Sequence, residues 1–200
     1  MVKKVLTDVY SYWFGDLQSP SDVVAPEKVD IWFSAKPETD AHIRDTFGKY
    51  LEPARETTWD LANLSRAEQV GLVVLLDQFP RNIHRTIGDA FAYDAKALSI
   101  ARELLKDGPG RFLPPEQIFV SLPFMHSENL IDQDYSVAFV ANMLLRAPLD
   151  KRDGPRNGFD FAYKHWMIIR KFGRFPHRNV MMGRESTPEE IEFLKNGRGF

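Results

Sequence analysis

The stretch that decides the fold is SRAEQVGLVVLLDQ, residues 65–78. Its first four residues match a capping box, in which the Ser65 hydroxyl accepts a hydrogen bond from the third helical N–H while Glu68 reaches back to the cap. The residues that follow are apolar on almost every side of a helix: Val70, Leu72, Val73, Val74, Leu75 and Leu76. Because a helix that is apolar all round must be surrounded by other elements, we predict that residues 66–78 form the central helix.

The rest of the chain repeats the helical spacing of apolar residues and shows almost no strand-like alternation. We predict further helices at about residues 3–14, 39–51, 94–106, 114–120, 127–146 and 159–172, with a last short helix starting at Thr187. Pro80 and Pro123 are expected to stop helices, and residues 150–158 to form a charged loop. Seven to nine helices joined by short loops pack as hairpins, so we predict a single all-α domain over residues 1–200.

Composition excludes several classes of protein. The chain has 200 residues, 44% of them apolar and 27% charged, which is typical of a folded domain rather than a disordered segment. A net charge of −2 argues against a surface that binds nucleic acid or anionic lipid throughout. The absence of cysteine excludes disulfides, thiolate zinc sites, iron–sulfur clusters and cysteine nucleophiles.

The N-terminal sequence and the hydropathy of the chain indicate a location away from membranes. The first residues reach an acid, Asp8, too early for a signal peptide. No apolar run approaches the length that spans a bilayer. We therefore expect no membrane association and a cytoplasmic location.

Three segments depart from the apolar pattern and place polar side chains beside Phe, Pro or Gly at helix ends. They are residues 77–85, with Asp77, Gln78, Arg81 and Asn82; residues 123–128, with His126 and Glu128; and residues 164–186. Loops held by rigid helices are where functional residues concentrate. We predict that these three segments meet in space and form one site.

The third segment carries the most unusual charge. Between positions 164 and 184 the chain has six cations and no acid: Lys164, Arg170, Lys171, Arg174, Arg178 and Arg184. Since the whole chain is −2, the remainder carries −8. Guanidinium groups bind phosphate or carboxylate through paired hydrogen bonds, which favours an anion pocket. The alternative is a set of arginines that ties helix ends together by binding carbonyls, Asp77 or Glu128.

His126, Ser127 and Glu128 cannot form a catalytic triad among themselves, because sequence neighbours on a helix do not face each other. We expect Ser127 to cap the following helix and Glu128 to lie in its positively polarised first turn. His126 has a side chain able to transfer a proton near neutral pH. The alternative is a half-buried histidine that is hydrogen-bonded to a carbonyl.

Metal and nucleic-acid sites are not predicted. Five residues have the donor types of a metal site, but their spacing matches no ligand motif: Asp77, His126, Glu128, His165 and His177. The chain has no Walker loop and no G-x-G-x-x-G, and its sequence requires no cofactor. Trp166 and Phe172 interleave with the basic residues, as in proteins that bind single strands. Their helical spacing with Ile169 instead indicates core packing, so nucleic acid is not the expected partner.

The three segments, taken in order, closely resemble the family called domain of unknown function 924. The matching stretches are LLDQFPRN (75–82), LPFMHSE (122–128) with Gln133, FGRFPHRN (172–179) and GRESTPEE (183–190), together with YWFG (12–15) and WF (32–33). The resemblance covers nearly the whole chain and departs from the pattern at residues 8–11. It implies an all-helical fold similar to tetratricopeptide-type hairpins. It also indicates which residues form a site, but it does not indicate a reaction.

Two functions of different class follow. The first is a small-molecule binder or enzyme whose pocket accepts an anion, with phosphate or carboxylate held by Arg174, Arg178 and Arg184. Further ligand-binding candidates are Gln78, Arg81, Asn82, His165 and Asn179, and the catalytic candidates are His126, His177, Glu128 and Asp77.

The second function is a tetratricopeptide-like module that binds a protein or peptide, with the same residues acting as a structural clasp. A pocket requires these groups to converge where solvent reaches them, whereas a clasp satisfies them internally. The sequence does not decide whether the protein is an enzyme.

Overall fold

The chain folds into α-helices throughout the part that the structure describes. The structure is a computed structural model in which residues 2–33, 35–85 and 87–195 are described. These ranges contain eleven α-helices, five short 3-10 turns and no strand, and nine of the α-helices have eight residues or more. The predicted all-α class, with seven to nine helices, is therefore confirmed. The α-helices are α1 Val2–Phe14, α2 Pro26–Phe33, α3 Pro37–Phe47, α4 Leu51–Glu56, α5 Arg66–Asp77, α6 Phe79–Ile83, α7 Asp94–Leu105, α8 Pro114–Met125, α9 Leu130–Arg146, α10 Asp153–Phe172 and α11 Pro188–Lys195.

The chain divides into two compact units, residues 1–120 and 121–200. The boundary falls within α8, whose residues 114–120 belong to the first unit and 121–125 to the second. The single domain over residues 1–200, the tetratricopeptide-like arrangement of its hairpins and the cytoplasmic location stay predictions. In the described ranges, the apolar stretches of the helices are too short for any of them to span a bilayer.

Helix α5 is the centre of the first unit, as its sequence predicts. Every residue from 69 to 77 is buried, and α1 and α7 pack against the helix. The capping box is present, since Ser65 Oγ accepts from the Glu68 N–H and Glu68 accepts from the Ser65 N–H at 2.7 Å. Gly71 allows α1 to approach closely, because a Cβ at this position would lie 2.1 Å from the Leu6 carbonyl oxygen.

An aromatic cluster fixes the end of α5 where the first polar segment begins. Trp13 of α1 is almost completely buried, and its ring meets the edges of Phe79 and Phe119 at centroid distances of 5.6 Å. Such edge-to-face pairs add to the stabilisation from apolar burial. Phe79 is the first residue of α6, so this packing sets where residues 77–82 emerge from the core.

The prolines act differently from the sequence prediction. Pro80 follows the end of α5 but lies in the first turn of α6. Residues of a first turn donate no hydrogen bond within the helix, so a proline without an N–H is tolerated there. Pro123 was expected to interrupt its helix, yet α8 continues through it to Met125. Helix α8 therefore lacks the hydrogen bond that residue 123 would otherwise donate to the Phe119 carbonyl. Helices α2, α4 and α6 were not predicted.

Helices α9 and α10 are consecutive and pack against each other as the main pair of the second unit. Two predicted boundaries are wrong. Helix α10 starts at Asp153 instead of at 159, with Pro155 in its first turn, so residues 153–158 are helical rather than a loop. Helix α9 starts at Leu130 instead of at 127, because Asn129 rather than Ser127 caps it through the Ile131 N–H at 2.9 Å.

Ser127 and Glu128 therefore lie before α9 and outside its first turn. The Ser127 hydroxyl accepts a hydrogen bond from the Asn129 N–H and donates to Asp132 at 2.7 Å. This arrangement replaces the predicted capping role of Ser127. It leaves Glu128 directed away from the helix terminus, toward the third polar segment.

Candidate functional site

Two of the three polar segments meet at Glu128. One carboxylate oxygen accepts from the Phe175 N–H at 2.8 Å, and the two oxygens accept from the terminal nitrogens of Arg184 at 2.6 and 3.0 Å. Arg184 also donates to the Phe175 carbonyl at 3.2 Å. Residues 123–128 and 164–186 are thus joined within the second unit. The first segment, residues 77–85, belongs to the first unit, and its meeting with the other two stays a prediction.

The environment of Glu128 keeps it ionised. Burial alone would raise the pKa of this carboxyl group. The hydrogen bonds from Arg184 and from the Phe175 N–H, with the charges of Arg184 and Arg178, outweigh burial and hold the pKa below its ordinary value. Glu128 is therefore a carboxylate paired with arginine, which makes it a poor proton acceptor at neutral pH.

A second ion pair joins Arg174 to Glu190. Arg174 Nε and Nη2 donate to the two carboxylate oxygens at 2.7 and 2.8 Å, and Nη2 also reaches the Glu185 carbonyl at 2.8 Å. The Glu190 side chain is only 2% exposed. The pKa of Glu190 is lowered to about 2, chiefly by the hydrogen bond from Arg174 and further by the Thr187 N–H and Asn179, although burial opposes the shift.

The loop between α10 and α11 is held at both of its ends. Gly173 has φ +69° and ends α10, at the predicted position after residue 172, in the left-handed conformation that favours glycine. Thr187 and Glu190 form the predicted capping pair of α11. Fully buried Asn179 donates to Ser186 Oγ at 3.0 Å and to Glu190 at 3.2 Å. We call Glu128, Arg174, Asn179, Arg184 and Glu190 the arginine clasp.

The clasp changes the interpretation of two arginines. Arg174 and Arg184 were predicted to hold an anion, but each makes a bidentate pair with a carboxylate of the second unit. An open cleft of about 480 Å³ next to Arg174 is lined by two cations and two glutamates. Its Lys171 pairs with Glu189 at 2.9 Å and its Arg174 with Glu190. The cleft is therefore neutral overall.

Two histidines and Arg178 gather around the buried ring of Phe175, and a third histidine lies next to one of them. Its centroid lies 5.5 Å from that of His165, 5.6 Å from that of His177 and 4.4 Å from the Arg178 guanidinium carbon. The rings of His126 and His165 are 6.5 Å apart. All three histidines are half-buried, so solvent reaches them, whereas Arg178 is buried. We call His126, His165, His177 and Arg178 the histidine–arginine cluster.

His165 is held in its neutral form. Loss of hydration lowers its pKa to about 3, and the charges of His126, Arg178 and His177 act in the same direction. The hydrogen bond with the Phe161 carbonyl opposes the shift only in part. Nδ1 lies 2.8 Å from that carbonyl oxygen, which only accepts, so Nδ1 carries the proton and Nε2 is the acceptor nitrogen.

In the first unit, the polar segment 77–82 binds acids of its own unit. Arg81 makes a bidentate pair with Asp94 at 2.9 and 3.0 Å, and also donates to the Asp77 carbonyl. Gln78 donates to the Asp77 carboxylate at 2.5 Å. Asn82 donates to Asp40 at 2.9 Å. These contacts are those of a structural network, and the ligand-binding role predicted for Gln78, Arg81 and Asn82 stays untested.

A buried ion pair that the sequence analysis missed lies at the start of α8. Glu116 is completely buried and accepts from the Tyr10 hydroxyl at 2.5 Å, from Arg66 at 2.9 and 3.0 Å, and from the Leu113 N–H at 2.7 Å. Burial and the neighbouring Glu116 raise the pKa of Tyr10. The order Pro114-Pro115-Glu116 resembles a helix start and could have signalled the cap. The partners Tyr10 and Arg66 come from distant positions.

Within the described ranges, no three His, Asp or Glu side chains come close enough together to hold a metal ion. The five residues considered as metal donors from the sequence do not form such a group. That the protein works without a metal stays a prediction.

The sequence and the fold both match proteins whose function is unknown. Residues 9–198 match the family described as bacterial protein of unknown function, DUF924, and the chain belongs to this family. A solved structure of a protein of unknown function, ATU0120 from Agrobacterium tumefaciens, is 28% identical and superposes with a TM-score of 0.78. The match covers 98% of this chain and 100% of that one. No curated protein matches the sequence.

Proposed function

We propose that this member of the DUF924 family binds a small anion, phosphate or a carboxylate, at the histidine–arginine cluster. The observation that carries the proposal is the gathering of His165, His177 and Arg178 around Phe175 at 4.4 to 5.6 Å, with His126 lying 6.5 Å from His165. The predicted pocket is thereby reduced to His126, His165, His177 and Arg178. Arg174 and Arg184 support it from the clasp.

The charge of the cluster supports an anionic ligand. Glu128 is a neighbouring carboxylate, and its charge is matched by the bidentate pair with Arg184. The charge of Arg178 contributes to lowering the pKa of both Glu128 and His165. Anions bind where such a field acts in a site of reduced solvent access.

Neutral His165 adds a requirement on the ligand. With its proton on Nδ1, the acceptor Nε2 can receive a hydrogen bond from a ligand hydroxyl. Monohydrogen phosphate and hydroxylated carboxylates carry both a negative oxygen and an O–H group. His126 and His177 are the candidates for proton transfer if a reaction follows binding.

The test compares thermal stability in phosphate and in chloride at matched ionic strength. A ligand that binds the folded state stabilises by about 2.7 kcal/mol at a hundredfold excess over Kd, which raises Tm by several degrees. We expect phosphate to raise the Tm of the wild type above its value in chloride, and Arg178→Ala to abolish the difference. Arg156→Ala is the matched control, because this exposed arginine of α10 belongs to neither the cluster nor the clasp, so its loss should leave the phosphate increment in place.

General salt effects are separated by the same comparison, since phosphate also stabilises proteins by exclusion from their surface. Equal increments in the wild type and in Arg178→Ala would overturn the proposal. If Arg178→Ala does not fold, imidazole NMR signals of the wild type are titrated with phosphate. Saturable shifts of His126, His165 and His177 support the site, and unchanged shifts overturn it.

A second candidate is the protein-interaction module with a structural clasp. It is favoured by the bidentate pairs Arg174–Glu190 and Arg184–Glu128, which satisfy two of the three predicted anion-binding arginines internally. Under this alternative the histidine–arginine cluster is part of the same network. Failure of the phosphate experiment would favour it.

A further inference from the structure

The outer face of α10 carries an exposed line of four residues with an acid at one end and a base at the other. Asp160, Tyr163, Met167 and Arg170 follow one another at intervals of three, four and three residues, which places them on one side of a helix. Tyr163 is 46% exposed and Met167 47%, and both charged residues are exposed. We call these four residues the α10 stripe. The same spacing forms the contact line of paired helices.

The order of residues in the stripe is acid, apolar, apolar, base. If a second α10 is laid antiparallel on the first, with the two-fold axis at position 165, Asp160 faces Arg170 of the other copy and Tyr163 faces Met167. Each charged contact then occurs twice. A parallel pairing would bring like charges together. A two-fold interface uses the same patch on both copies and must be self-complementary in this way.

The stripe is already ordered in the single chain. Tyr163 stacks between Phe159 and Trp166, with centroid distances of 6.2 and 5.6 Å and interplanar angles of 11° and 19°. Trp166 is fixed on its other side by a hydrogen bond to Asp134 at 2.6 Å and lies 4.8 Å from the Arg170 guanidinium carbon. Rigid aromatic side chains lose little entropy on association, which favours their use in interfaces.

The charges at the two ends of the stripe differ in their contacts from the other charges of the same segment. Neither Asp160 nor Arg170 has an ion-pair partner among the residues that the structure describes. This contrasts with Lys171, Arg174 and Arg184 of the same segment, which pair with glutamates. Opposite charges at the rim of an interface set its register and exclude wrong arrangements.

We propose that the α10 stripe is a docking surface for a second copy of this chain, forming an antiparallel two-fold dimer. One pair of helices buries less area than a standard protein interface, so the dimer is weak and depends on concentration. Lys164 lies beside the stripe on both copies, and this like charge weakens the dimer further. This inference is independent of the anion site.

The test uses charge reversal and sedimentation equilibrium over about 1 µM to 1 mM protein. The wild type is expected to show a reversible monomer–dimer equilibrium. Arg170→Asp and Asp160→Arg alone should each weaken self-association by at least about tenfold, since both contacts become repulsive. An equimolar mixture of the two variants should associate again, because each acid then faces a base. Lys4→Glu, an exposed charge change in α1, is the control and should leave association unchanged.

Circular dichroism and thermal melting confirm that each variant is folded. A wild type that stays monomeric up to about 1 mM would overturn the proposal, as would a dimer that both single reversals leave intact. A mixture that fails to associate would also overturn it. Binding of a different protein to the stripe of a monomer would count against the second copy as its occupant.

Discussion

Glu128 and Arg184 lie 56 positions apart in the sequence and form a bidentate pair, with nitrogen–oxygen distances of 2.6 and 3.0 Å. The pair connects the segment before α9 to the loop after α10. Both side chains are about three-quarters buried. The contact therefore holds the backbone on which the histidine–arginine cluster is built.

We predict that Glu128→Gln lowers the free energy of unfolding by about 1–3 kcal/mol, because a partly buried Arg184 loses its charged acceptor. Urea unfolding measures the change. The matched control is Glu189→Gln, which breaks an exposed pair with Lys171 and should cost less than about 1 kcal/mol. Equal losses in the two variants would show that the clasp has no special stabilising role.

Acidification should weaken the clasp through Glu190. Its pKa is about 2 in the folded chain against an ordinary 4.5, so the unfolded chain binds more protons between these values. The stability contributed by Glu190 is fully present above pH 4.5 and is lost as pH falls toward 2. We expect the difference in unfolding free energy between wild type and Glu190→Gln to shrink over this range. A difference that does not change with pH would contradict the ion pair.

His165 should remain neutral in mildly acidic solution. With a pKa of about 3 it stays unprotonated well below the ordinary value of 6.5. Nitrogen-15 NMR of the imidazole should show the Nδ1-protonated tautomer between pH 7 and pH 4, in contrast to a histidine in the urea-unfolded chain. A midpoint near 6.5 in the folded protein would contradict the loss of hydration inferred at this ring.

Ser65→Ala should lower the free energy of unfolding by about 1 kcal/mol, because the capping box of α5 loses its side-chain acceptor. Ser99→Ala provides the control, since Ser99 is exposed within α7 and alanine is at least as good a helix former. Thermal and urea unfolding both report the difference. A loss at Ser65 no larger than that at Ser99 would remove the capping role.

Gly71→Ala should destabilise the first unit by about 1–3 kcal/mol, because its Cβ would lie 2.1 Å from the Leu6 carbonyl oxygen and force α1 and α5 apart. Gly154→Ala is the matched control. It lies in the first turn of α10 with nothing within 4 Å of a Cβ, so the same change should be neutral or stabilising. Similar effects at the two positions would contradict the close approach.

The local parts of the fold were predictable where one physical signal acts alone. The capping box at Ser65, the burial of α5, the end of α10 at residue 172 and the start of α11 near Thr187 all follow from neighbouring residues. Predicted helix boundaries were wrong where two local signals compete. Asn129 and Ser127 are both good caps, and Pro155 lies in a first turn, where proline is tolerated, whereas Pro123 lies inside α8, so the sequence around them did not identify the boundary.

The candidate site could also be predicted only in part from the sequence. The sequence predicted that residues 123–128 and 164–186 come together, and it identified the arginines and histidines involved. It did not show that Arg178 lies over Phe175 while Arg174 and Arg184 pair with Glu190 and Glu128. Their residue type and loop position are the same, so the sequence gives no signal that distinguishes their contacts.

By itself, the sequence determined the all-helical class, the central helix and the segments rich in polar side chains, because propensity, periodicity and capping act over a few residues. Only the tertiary structure decided which charges are paired. An ion pair such as Arg66–Glu116 or Arg184–Glu128 joins positions 50 or 56 residues apart. Such a pair depends on how helices bring side chains within about 3 Å of each other, which no local pattern of residues specifies.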